Sequence, residues 1–63
     1  MDYRVSYEHS FAERPDQFIA QVPSQIVTDV PATIPRAMLP EYIAGLIQQR
    51  SPNIGRIRSL RVL

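Results

Sequence analysis

The sequence has no cysteine, no lysine, a single histidine and only two glycines among its 63 residues. Without cysteine there is no disulfide to staple a short chain and no thiolate zinc cluster. The redox compartment therefore leaves no trace in it. Gly45 and Gly55 are too few and too far apart for a P-loop or a Gly-x-Gly-x-x-Gly turn. No apolar run approaches the roughly 20 residues that span a bilayer. Met1-Asp2-Tyr3-Arg4-Val5 lacks the basic-then-apolar order of a secretory leader, so the cytoplasm is the expected location.

The missing lysine means that all seven basic residues are arginine. Codon usage in a GC-rich genome produces this, and so does a need for planar guanidinium forks against phosphate or carboxylate. The net charge of +1 conceals a polarity along the chain. Residues 1–41 hold six acids (Asp2, Glu8, Glu13, Asp16, Asp29, Glu41) against Arg4, Arg14 and Arg36. Residues 42–63 hold Arg50, Arg56, Arg58 and Arg61 with no acid at all.

Apolar residues make up 44% and charged residues 21%, a globular composition that predicts one small domain over residues 1–63. A chain of this size buries only about 60% of its unfolded surface. Apolar burial then roughly offsets the cost of ordering the backbone and side chains. Self-association or docking on a larger body is the expected remedy, and a homo-oligomer is its simplest form.

Residues 2–8 alternate strictly, with Tyr3, Val5 and Tyr7 on one face and Asp2, Arg4, Ser6 and Glu8 on the other. This is a half-buried strand. The stretch His9 to Asp16 breaks the pattern and closes on the turn Arg14-Pro15-Asp16. Next, Pro15-Asp16-Gln17-Phe18-Ile19-Ala20-Gln21-Val22 is echoed by Pro23-Ser24-Gln25-Ile26-Val27-Thr28-Asp29-Val30, and Pro31-Ala32-Thr33-Ile34 starts a third unit. Because proline cannot donate to a ladder, each unit reads as a separate segment. The units suit two short strands of a sheet, or an extended arm laid on a partner by strand addition.

Leu39, Tyr42, Ile43, Leu46 and Ile47 fall on one helical face, and Ser51-Pro52-Asn53 stops the helix. Pro40 suits its first turn, with Glu41 near the positive end of the dipole and Arg50 near the negative end. Thr33 with Pro35 offers an earlier start, at the cost of a proline inside the helix. Gly45 suggests a close backbone approach. Residues 54–63 have the composition of a final strand. The fold class is therefore α+β: a small antiparallel sheet of three to four strands, in the order β-β-β-α-β along the chain, covered by one helix.

Little here carries chemistry. Glu8, His9 and Ser10 supply the residue types of a triad, but neighbours in a strand point to opposite faces and cannot form the relay. A solvated histidine at a strand end is the expectation for His9. Asp16, Asp29 and Glu41 lack metal-ligand spacing, and nothing calls for a cofactor. The expectation is a non-enzymatic chain.

The candidate partner-binding residues are Arg50, Arg56, Arg58 and Arg61. On a regular strand Arg56 and Arg58 share one side and Arg61 lies on the other. Each can make a forked contact to an acidic protein or to nucleic acid. The alternative is a solvated edge strand whose charges discourage aggregation. Tyr3, Tyr7 and Tyr42 read as core residues with wet hydroxyls, or as part of a binding surface.

Tyr3-Arg4-Val5, Phe18-Ile19-Ala20-Gln21-Val22-Pro23, and Thr33 with Ala37 ahead of a helix resemble the partial RNase-H-like domain of HicB-type antitoxins over residues 3–47. The glycine that those proteins place after the Val-Pro strand is absent, and Pro40 stands where their helix runs. The resemblance implies three strands followed by a helix, and binding to a toxin protein. The functional expectation is thus a protein-protein interaction module: a small subunit, inhibitor or accessory factor of the kind that phages and other mobile elements encode. A nucleic-acid binder using the C-terminal arginines and a structural or decoration peptide of a larger assembly are the alternatives.

Overall fold

The computed structural model describes residues 1–63. Strand β1 (Tyr3–Phe11) is the centre of a three-stranded antiparallel sheet of order β2-β1-β3, flanked by β2 (Ala20–Val27) and β3 (Ile54–Val62). One helix, α1 (Leu39–Arg50), crosses between β2 and β3. The architecture is α+β, with two strands rather than three ahead of the helix.

The alternation in β1 reads directly as structure: Val5 and Tyr7 are buried against the helix layer and Arg4 is exposed. The strand runs further than its clean alternation. His9 keeps the inward phase and is buried, its ring between those of Tyr7 and Phe11 at centroid distances of 5.9 and 5.2 Å. Two aromatic neighbours of the same phase explain why it is not the solvated strand end that the sequence suggests.

The proline-punctuated repeat contributes a single strand, Ala20–Val27, with the residues on either side outside any strand. Residues 20–27 pair with β1 straight through Pro23, so the segment is neither two strands nor a free arm. Pro23 is tolerated because β2 lies at the sheet edge and because the register slips there. Val5 faces Gln25 while Tyr7 faces Val22, so three residues of β2 span two of β1. Asp29, at φ 61°, then turns the chain. Val30, buried, donates its N–H to the Met1 carbonyl at 2.9 Å.

A 3-10 turn at Arg36–Met38 leads into α1, whose first turn holds Pro40 and Glu41 and whose last holds Arg50. No side chain caps the helix. Its apolar face, Leu39, Ile43 and Ile47, closes a core completed by Val5, Tyr7, Val27 and Val30. The helix is 12 residues long, and none in the chain is long and apolar enough to cross a membrane. Only nine of 63 residues are buried, and the accessible surface of 4486 Å² exceeds the roughly 4,100 Å² that mass scaling gives for a compact monomer. The body is elongated, 33 × 19 × 18 Å.

The close backbone approach is at Gly55, not Gly45. A Cβ on Gly45 would meet nothing within 4 Å, whereas one on Gly55 would lie 2.7 Å from the Ser10 Oγ and 2.8 Å from the Phe11 carbonyl oxygen.

Candidate partner-binding face

The side of the sheet away from α1 is covered by no secondary-structure element. The even-numbered residues of β1 belong to it, with Arg4 exposed, Ser6 and Glu8 half-buried and Ser10 fully buried, and register decides what joins them. Glu8 faces Arg58 and Ser6 faces Arg61, so three residues of β3 span two of β1. The irregularity is marked by Ser59 at φ 55°, the left-handed region. A second slip opposes His9–Phe11 to Ile57–Ile54, and within it the Arg56 N–H donates to the Ser10 Oγ at 2.8 Å.

Each slip absorbs one residue and returns the strand to phase. Ile54, Ile57, Leu60 and Val62 consequently pack toward the core, and Arg56, Arg58 and Arg61 are all exposed. The expectation that Arg61 opposes Arg56 and Arg58 is thus corrected. It assumed unbroken alternation, and the bulge at Ser59 restores Arg61 to the same face.

The arginines are also not free of acids, as their sequence neighbourhood implies. Arg56 lies 3.5 Å from the Asp16 carboxylate, and Arg58 lies 3.6 Å from that of Glu8. The Arg58 guanidinium also sits 4.4 Å from the Phe18 ring centroid, a cation-π arrangement. The two ends of the charge polarity therefore meet on one face. Arg4, Arg14, Arg36 and Arg61 have no carboxylate within 4.0 Å. Arg50 is separate from the stripe, on the helix side of the sheet, where its guanidinium donates to the Thr28 carbonyl at 3.1 Å.

Sequence reasoning missed Arg4 on this face and Arg36 at its edge, beside the start of α1. Arg4 was within reach, because the alternation of β1 already placed it with Ser6 and Glu8. Arg36 carried no signal: it lies before the helix, and only the fold brings it beside Arg61, where both line an open groove of about 580 Å³ with Tyr3, Leu39, Leu60 and Val62.

The triad-like trio is not a relay. The His9 Nδ1 lies 2.9 Å from the Ser10 carbonyl oxygen, while the Ser10 Oγ accepts the Arg56 N–H. No group of three His, Asp or Glu side chains is gathered to hold a metal ion. The Tyr7 hydroxyl donates to the Gln25 Oε1, and burial raises the Tyr7 pKa above its ordinary value. That tyrosine is a core residue with one satisfied polar tip. No family model matches the chain, and no curated protein or solved structure does either. The reading of this face rests on its own geometry.

Proposed function

We propose that the chain is a non-enzymatic protein-protein interaction module, and that the arginine-bearing open face of its sheet receives the carboxylates of a protein partner. One observation carries the reading: the register slip at Ser59 brings Arg61 onto the face that Arg56 and Arg58 already share, the side of the sheet away from α1. Arg56 and its partner Asp16 are well exposed. Pairs of this kind are worth about 0–1 kcal/mol, so a partner's carboxylates can replace them at little cost. Forked guanidinium groups suit such an exchange better than point charges.

The balance of charge favours protein over nucleic acid. Glu8 stands within the stripe, two of its three arginines already have acids, and the net charge is only +1. A duplex needs several phosphate contacts made together.

The test replaces Arg56, Arg58 and Arg61 by glutamine together, with circular dichroism to establish that the fold is kept. The expected result is that the wild-type chain crosslinks to a protein partner after nuclease treatment and the triple variant does not. No binding to duplex or single-stranded nucleic acid is expected at physiological salt. Tight nucleic-acid binding, abolished by the triple change and with a salt slope smaller by about 0.9 per lost duplex-phosphate contact, would overturn the proposal.

A further inference from the structure

We infer that the partner segment is an extended, acidic-apolar polypeptide that adds to the β3 edge at residues 60–63 as a fourth strand. This rests on the reading of the chain as a protein-binding module and names the segment it takes.

The backbone supplies the first argument. Leu63 donates its N–H to the Arg4 carbonyl at 2.8 Å, and Val5 faces Val62. In an antiparallel ladder that pattern makes Val5–Val62 a non-hydrogen-bonded pair. The N–H and C=O of Val62 therefore point away from β1, toward an edge with no neighbouring strand. An extended segment there finds a donor and an acceptor already aligned.

Side chains supply the second. The groove of about 580 Å³ runs between this edge and the start of α1, and Tyr3, Leu39, Leu60 and Val62 give it an apolar floor. Arg36 and Arg61 flank it, and neither has a carboxylate within 4.0 Å. An added strand that alternates apolar and acidic residues would turn its apolar side chains into the groove. Its acids would then lie on the outer face, against Arg61.

A second copy of the chain fits this edge badly. Two β3 edges paired antiparallel would bring their arginine columns against one another, and like charges across a pair are destabilising. The other edge of the sheet is interrupted by Pro23. Ser59 sets the limit of the site, because its left-handed backbone breaks the pairing row above Leu60. The recognised segment is short as a result, about four residues or ~13 Å.

The test uses the full chain and a synthetic Val-Glu-Val-Glu-Val-Glu peptide with blocked ends, followed by amide chemical shifts and hydrogen exchange. Shifts are expected at Leu60–Leu63 and Arg36–Leu39, with slowed exchange at Val62. Arg61→Gln should weaken binding about threefold to fivefold, the measure of an exposed pair, and Arg36→Gln, on the groove side away from the acids, should weaken it less. Lysine in place of glutamate in the peptide should abolish it. Three results would overturn the inference: no shifts at ~1 mM peptide, shifts confined to Arg56 and Arg58, or equal binding by a peptide N-methylated to block strand pairing. Shifts confined to Arg56 and Arg58 would leave the proposed function standing, since the open face would still receive carboxylates. Nucleic acid as the sole ligand would remove the proposed function itself.

Discussion

Replacing each glycine by alanine in turn applies one chemical change to two places and should move stability in opposite directions. At Gly45, exposed in the middle of α1, the new methyl meets nothing within 4 Å. Glycine inside a helix is worth about 0.5–1 kcal/mol less than alanine, so Gly45→Ala should stabilise by that amount. At Gly55 the methyl would lie 2.7 Å from the Ser10 Oγ and 2.8 Å from the Phe11 carbonyl oxygen. Non-bonded heavy atoms settle at about 3.5–4.0 Å. Ser10 is fully buried and its Oγ accepts the Arg56 N–H, so it has nowhere to retreat. Overpacking of this kind costs about 1–3 kcal/mol, and disturbing the Ser10–Arg56 bond adds about 1 kcal/mol. The total is a large share of the ~3–9 kcal/mol that a chain of this length holds. Urea titration followed by circular dichroism reads both changes. In thermal melts Gly45→Ala should gain about 4–8 °C per kcal/mol, and Gly55→Ala should lose about 10 °C or more. A Gly55→Ala protein as stable as the wild type would refute the pairing of β3 with β1 in this register. The arginine stripe depends on that register.

Ser59 tests the same bulge from the backbone side. With φ at 55°, Ser59→Gly should be about 0.5–1 kcal/mol more stable and Ser59→Val about 1–2 kcal/mol less so, read as shifts in urea midpoint. Tyr7 tests the core through pH. Burial raises its folded pKa above the unfolded value near 10, so its contribution is complete below that pH and is lost as pH rises through the folded pKa. Tyr7→Phe should cost about 0.5–1.5 kcal/mol at pH 8 through the bond to Gln25, and urea midpoints at pH 8 and pH 11 should then differ less than in the wild type.

The elements with a single buried face could be read from residue spacing alone. β1 follows from the alternation of Tyr3, Val5 and Tyr7, α1 from Leu39, Ile43 and Ile47, and β3 from its composition. In each, burial against one neighbouring layer dictates which residues must be apolar, and that demand repeats at the period of the element. The α+β class follows from the same spacing. The site did not, because its geometry belongs to pairs of strands. Pro23 sits inside a strand because β2 lies at an edge, and edge position is a property of the sheet. Arg61 shares a face with Arg56 and Arg58 because the Ser59 bulge absorbs one residue against β1. Nothing in Arg58-Ser59-Leu60-Arg61 announces that slip, since serine is compatible with unbroken alternation. Glu8 and Asp16 reach the arginines from about 40 or more residues away along the chain, and Arg36 comes to line one groove with Arg61 only once α1 has crossed the sheet. Residue spacing records what one element demands of its neighbours, whereas register, edge position and long-range charge contacts arise when strands pair, and the fold alone decided them.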